Sequence, residues 1–403
     1  MAGDRKIKEA VDRISNLPDE ILQQHILCYI PTKVSISTSI LSRRWRHVWC
    51  NIPSISLDVD TLTAASVNET LNRYTALKTK SFHLKTTRRK NIPHVDRWIR
   101  CAMSHNVENL SLNFWSPGAN KAYTLPDFFY NSCPVLENLT LYHCDELKVL
   151  DLTKSKRLRT LQIRRNVWVP GPTQIVAPHI HCLRLLNSQL SCTFVDVASL
   201  TEAKLDICYV SMFFNLKADF LQVMVLKMLE KLQNAEKLTF GGNFIQILSL
   251  AEIRGVSFPM FKVKALTLNT VICQYVIPGI ERLLQNSPDL QKLTLRGRTC
   301  NSIPGNHLDK YLNSQSLNPD QCWRSKDGFS WNNSCWDVQP KHVTSFVELV
   351  LKNTKKLDKM VVLLYKGFLK FEIEDVVVPK HSHITIVLSP TNKPMTSEDW
   401  FES

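Results

Sequence analysis

Glycine is scarce in this chain of 403 residues, which holds only 11 of them, and none lies in a phosphate-binding loop. The sequence contains no Walker-type, dinucleotide-binding or nucleophile-elbow phrase. Each of these motifs needs glycine at fixed spacing, so that the backbone can approach a phosphate or present a nucleophile. The sequence therefore argues against nucleotide-dependent catalysis. We expect a protein that is not an enzyme, with no catalytic residues and no cofactor.

Long apolar runs are also absent. No segment approaches the roughly 18 apolar residues of a membrane span, and Lys227, Glu230 and Lys231 interrupt the most apolar stretch, 223–232. The first residues, MAGDRKIKEAVDR, lack the apolar core of a signal peptide. We therefore expect a protein of the nucleus or the cytoplasm that has no membrane partner and keeps its 12 cysteines reduced.

Cysteine pairs at metal-binding spacing are missing as well. His143, Cys144, His179, His181 and Cys182 are the nearest approach to a zinc site, but no Cys-x-x-Cys pair accompanies them. Their spacing matches no structural zinc site. Buried thiols and ordinary histidines account for these residues more simply, so we expect no metal.

Positive charge exceeds negative charge, with 50 Lys and Arg against 36 Asp and Glu, a net charge of +14. This balance favours acidic partners, but the charge is spread along the chain and does not by itself indicate nucleic acid. The basic stretch Lys78–Lys90 fits a nuclear-import signal, an anion site or a solvated repeat edge. The length predicts two or three units or one elongated array.

Residues Asp12–Trp49 predict three short helices. Pro18 suits a first helical turn, with Asp19 and Glu20 next to it at the positive end of the helix dipole, and Pro31 ends that helix. A second helix fits Thr32–Ser39. Ser42 can cap a third helix, on which three large apolar residues share one face: Trp45, Val48 and Trp49. A segment this short cannot bury all its apolar side chains within itself.

The phrases DRISNLPDEIL, PTK and TSILSRRW, followed by Trp49, resemble the F-box of plant proteins that join an F-box to leucine-rich repeats. The resemblance implies docking on a Skp-type adaptor and, through it, on the cullin of an SCF ubiquitin ligase. The hydrophobic contact it implies comprises Leu17, Pro18, Ile21, Leu22, Ile26, Ile30, Val34, Leu41, Trp45 and Trp49. The alternative is that these residues are the core of an ordinary helical domain.

A short phrase, apolar–any–apolar, recurs from about residue 80 at intervals of 22 to 33 residues. Such a period is typical of leucine-rich repeats, in which each unit gives one strand and neighbours stack to bury a shared core. The phrases begin at Phe82, Leu110, Leu139, Leu161, Leu183, Leu205, Leu238, Leu266 and Leu293. They predict a parallel sheet on the concave face of a curved solenoid, with helices at 97–104, 218–233 and 279–285.

Strand side chains alternate between the two faces of a sheet, so half of each phrase faces away from the core. The candidate substrate-binding residues on that face are Tyr142, Gln162, Arg164, Arg184, Asp206 and Arg296. Arg164 and Arg184 belong to adjacent repeats and can contact carboxylate or phosphate in a bidentate manner. The alternative is that they are solvated sheet residues without a partner.

Residues 301–340 are rich in Asn, Ser, Asp and Pro and predict a long connection or insertion. After it, apolar spacing predicts a helix that ends near Asn353, a strand at 360–364 and a last strand at 384–388. The helix followed by LDKMVV resembles the FBD region found at the C-terminus of many plant F-box and leucine-rich-repeat proteins.

The fold expected from these patterns is α/β: a three-helix F-box at 1–55, a leucine-rich-repeat solenoid at 56–300, and a loop insertion plus FBD-like repeat or cap at 301–403. Two functions fit it. The first is a substrate-recognition subunit of an SCF ubiquitin ligase, monomeric within the complex, that recruits an unidentified target protein. The second is a basic repeat scaffold that binds an anionic polymer such as nucleic acid, independently of a ligase.

Overall fold

The computed structural model describes residues 14, 16–114, 125–131, 134–144, 148–165, 173–187, 192–209, 216–297, 303–325, 327–333, 337–369, 371–378 and 383–392. The chain divides into two compact units, residues 1–116 and 117–403. Among the described residues, no helix has both the length and the apolar character needed to cross a bilayer. Within these described ranges, no group of three or more His, Cys, Asp or Glu side chains is arranged to hold a metal ion.

The first unit begins with three short helices and continues with two longer helices and three strands. The helices are α1 Asp19–His25, α2 Thr32–Ser37, α3 Trp45–Val48, α4 Ala64–Arg73 and α5 Ile92–Ser104. The strands are β1 Ser54–Asp58, β2 Ser81–Lys85 and β3 Asn109–Asn113. The three predicted N-terminal helices are therefore present, and a single 3₁₀ turn follows each of them, at Leu27–Tyr29, Thr38–Ile40 and Trp49–Asn51.

Strands β1, β2 and β3 run parallel, with Ile55 beside Phe82 and Phe82 beside Leu110. Helix α4 connects β1 to β2 and α5 connects β2 to β3, which gives each strand a helical return. The apolar face of α5 is buried through Val95, Trp98 and Ile99. Strand β1 and helix α4 extend the repeat pattern toward the N-terminus, beyond the first phrase that the sequence revealed.

The second unit continues the same arrangement with a larger parallel sheet. Its helices are α6 Asp127–Asn131, α7 Ala218–Lys231, α8 Gly242–Ile253, α9 Ile277–Gln285, α10 Gly305–Ser314, α11 Pro319–Cys322 and α12 Pro340–Asn353. Its strands are β4 Asn138–Tyr142, β5 Val149–Asp151, β6 Thr160–Arg164, β7 Thr173–Val176, β8 Cys182–Asn187, β9 Cys192–Asp196, β10 Glu202–Ile207, β11 Lys237–Gly241, β12 Ala265–Asn269, β13 Lys292–Arg296, β14 Lys359–Tyr365 and β15 Thr385–Thr391.

Within the second unit, the larger sheet has the order β4-β6-β8-β10-β11-β12-β13-β14-β15. Each described pair is parallel and in register, as where Leu238 lies beside Leu266 and Leu266 beside Leu293. The leucines form a buried layer along the sheet. The predicted α/β arrangement of N-terminal helices followed by a parallel sheet of repeats is therefore confirmed.

A second, three-stranded parallel sheet has the order β5-β7-β9. Each of its strands lies in the connection between two successive strands of the larger sheet. The repeats that begin at Leu139, Leu161 and Leu183 are too short for a helix of two or three turns, and a strand closes them instead. The longer repeats close with α7, α8 and α9. Repeat length therefore decides whether the returning element is a strand or a helix.

The later elements largely match their predictions. Helices α5, α7, α9 and α12 lie where the sequence placed them, and α12 ends at Asn353 as expected. Strands β14 and β15 also form. The prediction of a loop over 301–340 is wrong in part, because α10 and α11 lie there: Pro304 precedes α10, and Pro319 opens α11 at a position where its missing N–H costs nothing.

Candidate functional site

The core of the N-terminal helices is built from residues that the sequence assigned to partner contact. Leu22, Trp45 and Trp49 are all buried, and Trp49 is only 1% exposed. Helix α1 contacts helix α3, and the guanidinium of Arg73 lies 5.3 Å from the centroid of the Trp49 ring. This corrects the prediction: the three side chains support the helices from inside and offer no surface to a partner.

A different set of apolar side chains is exposed on the same helices. Tyr29 is 81% exposed and Ile40 is 88% exposed, although folding normally hides much of such side chains. We define the exposed apolar set as Ile21, Tyr29, Val34, Ile40 and Leu41. Exposed apolar groups concentrated in one short segment indicate an interaction surface.

The exposed apolar set overlaps only in part with the predicted contact. Ile21, Val34 and Leu41 belong to both, and Pro18 is exposed as well, whereas Leu17, Ile26 and Ile30 are half-buried. Tyr29 and Ile40 were missed. A sequence signal was available for both, because Tyr29 directly precedes Ile30 and Ile40 directly precedes Leu41, and Ile30 and Leu41 belong to the predicted contact.

Polar contacts hold these helices in place. The guanidinium of Arg44 donates to the Asp19 carboxylate, with a nitrogen–oxygen distance of 2.6 Å, and also to the carbonyl of Leu17. Ser35 Oγ donates to the Leu27 carbonyl at 3.1 Å. Thr32 Oγ1 accepts from the Ser56 backbone N–H at 2.7 Å, which ties α2 to β1. The exposed apolar set is therefore displayed on helices that are fixed by bonds between different elements.

The second candidate surface is the face of the larger sheet that points away from the leucine layer, which we call the polar sheet face. Strand register arranges its residues in rows across the sheet. One row contains Thr140, Gln162, Arg184, Lys204, Thr239, Thr267 and Thr294, and the next contains Tyr142, Arg164, Leu186, Asp206, Gly241, Asn269 and Arg296.

Most of the predicted substrate-binding residues occur on this face. Tyr142, Gln162, Arg164, Arg184 and Arg296 are half-buried there. Arg184 lies opposite Gln162, and Arg164 lies opposite Leu186, so the two arginines occupy adjacent strands but neighbouring rows. Their contact with a substrate stays a prediction.

Asp206 departs from its predicted role. It is buried, and its Oδ1 accepts the backbone N–H of Ile207 at 2.8 Å and that of Phe244 at 3.2 Å. Phe244 lies in the first turn of α8, where backbone N–H groups lack helical partners and a negative charge is favourable. This corrects the prediction: Asp206 caps a helix from a neighbouring strand.

Lys204 is a residue of the polar sheet face that sequence reasoning missed. The register pairs Ala203 with Leu183 and Leu238, and Lys204 with Arg184. The apolar phrase of this repeat therefore begins at Ala203, two residues before Leu205. Burial lowers the pKa of Lys204, and the nearby charges of Arg184 and Arg296 lower it further, while Glu202 opposes them.

A cavity of about 340 Å³ opens on the polar sheet face, over β10 to β13. Four cationic side chains and a single carboxylate, that of Glu202, contribute to its lining. Lys237 lies 4.0 Å from Glu202, which partly offsets its charge. The other residues that line the cavity are Lys204, Leu238, Thr239, Ala265, Leu266, Thr267, Asn269, Lys292, Thr294 and Arg296. We call this space the cationic cavity.

Comparison with known proteins gives matches over both the helical segment and the repeats. The F-box domain family model matches residues 14–56. The Arabidopsis thaliana F-box/LRR-repeat protein At3g03360 is 43% identical over 455 residues, covering 96% of this chain and 92% of the relative. F-box/LRR-repeat protein At5g02910 of the same plant is 44% identical over 420 residues, covering 90% and 91%.

A further F-box/LRR-repeat relative from Arabidopsis thaliana, At3g18150, is 56% identical over 423 residues and covers 94% of this chain and 92% of its own length. The matches extend from the helices that display the exposed apolar set to the strands that form the polar sheet face. An F-box implies binding to a Skp-type adaptor in an SCF complex. The chain therefore belongs to the F-box/LRR-repeat proteins, which are F-box proteins of the SCF type.

Proposed function

We propose that this chain is the substrate-recognition subunit of an SCF-type ubiquitin ligase. The exposed apolar set docks on the Skp-type adaptor, and the adaptor connects the chain to cullin. The polar sheet face receives the target protein. The chain itself performs no covalent step and contributes proximity between the target and the ubiquitin-charged enzyme.

The observation that carries this proposal is the exposure of large apolar side chains within the segment that matches the F-box. Full burial of one such side chain contributes about 1.5 to 3 kcal/mol. Association itself costs roughly 4 to 15 kcal/mol in lost freedom. Five side chains therefore offset much of that cost, and rim contacts around Pro18 and Leu17 add to them.

Charge supports the second half of the proposal. The polar sheet face carries Arg164, Arg184, Lys204 and Arg296, whose positions favour a target with an acidic recognition segment. We propose that the chain acts as a monomer within the complex, and that it works in the nucleus, the cytoplasm or both.

The test is affinity purification of the tagged chain from plant cells with the proteasome inhibited. We expect the adaptor and cullin to co-purify with the wild type, together with ubiquitinated proteins. The Ile40→Asp/Leu41→Asp variant should lose the adaptor, cullin and ubiquitinated proteins together. Leu77→Asp is the matched control, because Leu77 is 90% exposed in the same unit but lies outside the F-box match. Retention of the adaptor by the double variant would refute the proposal.

A further inference from the structure

The cationic cavity joins two features that ordinary sheet surfaces do not combine, namely concentrated positive charge and a buried polar group. Its lining includes Lys204, Lys237, Lys292 and Arg296 against one carboxylate, Glu202. Like charges on neighbouring strands repel each other. A bound anion would relieve that repulsion, so the cavity favours a negatively charged group.

The charges lie on different strands that the register brings side by side. Lys237 faces Ala265 and Ala265 faces Lys292, so the small alanine separates the two lysines and leaves space between them. Asn269 faces Arg296 two rows away, four residues further along the same two strands. The small residue and the surrounding longer side chains give the cavity its depth.

Asn269 supplies the buried polar group. It is only 1% exposed, it lines the cavity, and its Oδ1 has no hydrogen-bond partner among the described residues. The same is true of Nε of Arg296 on the adjacent strand. A buried polar atom without a partner is unfavourable, and a ligand in the cavity that supplied partners to both atoms would remove that cost.

One of the two unpartnered atoms is a hydrogen-bond acceptor and the other is a donor. Asn269 Oδ1 accepts a hydrogen bond and therefore needs an N–H or O–H from the ligand, whereas the Arg296 guanidinium donates and matches a carboxylate. We propose that the cationic cavity binds a peptide carboxylate together with a neighbouring amide N–H of the same peptide. This deepens the proposed function and rests on it, because it names the acidic peptide segment by which a target is held.

Two kinds of peptide provide this chemistry. One is the C-terminal residue of a protein, whose carboxylate and amide N–H belong to the same residue. The other is an internal Asp or Glu, whose side-chain carboxylate lies near its own backbone N–H. A phosphorylated residue has the same backbone N–H but a phosphate in place of the carboxylate, so the experiment tests it separately.

The experiment uses the immobilised full chain and four pools of random ten-residue peptides, each free of acidic residues except as stated. The first pool has a free C-terminal carboxylate, the second a C-terminal amide, the third an amide plus one internal Asp or Glu, and the fourth an amide plus one phosphoserine. A single-stranded DNA of about 20 nucleotides, longer than the roughly 4 to 16 that one binding fold covers, is a fifth probe. Mass spectrometry measures peptide retention, and anisotropy measures DNA binding.

We expect the wild type to retain the first or the third pool at least tenfold more than the second, and the stronger of the two identifies the source of the carboxylate. Arg296→Gln and Lys204→Gln should each reduce this retention at least fivefold. Asn269→Asp should do the same, since its carboxylate repels the peptide. Lys359→Gln is the control: Lys359 lies beside Lys292 on the next strand but does not line the cavity, and retention should be unchanged.

Equal retention of the second pool, retention of the phosphoserine pool or the DNA alone, or no retention of any pool would overturn the inference. Unchanged retention in all three cavity variants would do the same, provided that circular dichroism shows them folded. Different variants test the inference and the proposed function, so that failure of one is distinguishable from failure of the other. Ile40→Asp/Leu41→Asp should keep the peptides while losing the adaptor, and the cavity variants should keep the adaptor while losing the peptides.

Discussion

The carboxylate of Asp206 lies over Gly241 on the neighbouring strand, so closely that a Cβ built on Gly241 would come within 1.9 Å of Asp206 Cγ. The missing side chain of Gly241 is what lets Asp206 turn toward the first turn of α8 and accept the Phe244 N–H. The glycine and the acidic residue therefore form one structural unit across β10 and β11.

Gly241→Ala should displace the Asp206 carboxylate and lower the free energy of unfolding by about 1 to 3 kcal/mol, the usual penalty for overpacking a core. Chemical denaturation monitored by circular dichroism measures the change. The control is the double variant Gly241→Ala/Asp206→Ala, which removes the clash. We expect it to be less destabilised than the sum of the two single variants. Simple additivity would contradict the contact.

Trp49→Ala should destabilise the N-terminal helices by about 3 to 5 kcal/mol, because it removes a fully buried aromatic side chain. Ile40→Ala should change stability by less than about 0.5 kcal/mol, as expected for a surface position. Thermal unfolding of the two variants checks the difference. Equal stability of both variants would mean that Trp49 is not part of the core.

His143 should make stability depend on pH. Burial, and then the charge of Arg164, lower its pKa from 6.5 to about 4. Between pH 4 and pH 6.5 the unfolded chain binds a proton at His143 that the folded chain does not bind. Neutral His143 therefore leaves the folded state at full stability above about pH 6.5, and stability is lost as the pH falls toward 4. The expected effect is at most about 3.5 kcal/mol, from about 1.4 kcal/mol per pKa unit.

The measurement for His143 is the free energy of unfolding from pH 7 down to pH 4, compared between the wild type and His143→Asn. The backbone φ of His143 is 58°, in the left-handed region. Asparagine suits the position because it tolerates that region. The variant should show a shallower loss of stability on acidification. Identical pH profiles would show that His143 does not carry the effect.

Glu252 should contribute more to stability than a surface carboxylate. It accepts two hydrogen bonds from Arg282, at 2.6 and 3.1 Å, and so joins α8 to α9. Glu252→Gln should lower the free energy of unfolding by about 1 kcal/mol. Asp289→Asn, which breaks the exposed pair with Lys356, is the control and should change the free energy of unfolding much less than Glu252→Gln does. A larger loss in the control would contradict this ranking.

The sequence was informative wherever one physical rule decides the structure. Proline and capping residues placed the N-terminal helices, and the recurring leucines placed the strands of the larger sheet. Helix boundaries such as Asn353 followed from apolar spacing that ends at a residue suited to a helix terminus. These features depend on neighbours within a few residues, so a single chain reveals them.

The sequence was least informative where the structure depends on distant partners. Ala203 does not look like the start of an apolar phrase, and only its pairing with Leu183 and Leu238 identifies it. The error moved Lys204 out of the predicted face. Likewise, an apolar pattern does not separate Trp49, which is buried by its own unit, from Ile40, which is exposed. Burial is a property of packing, and periodicity alone does not determine it.

The most direct test of the account is the dissociation constant between the purified chain and a Skp-type adaptor, measured by isothermal titration calorimetry. Ile40→Asp/Leu41→Asp should weaken binding at least a hundredfold, since about 1.4 kcal/mol corresponds to each factor of ten. Leu77→Asp should leave the constant within a factor of two. The account is contradicted if Ile40→Asp/Leu41→Asp binds the adaptor as tightly as the wild type does.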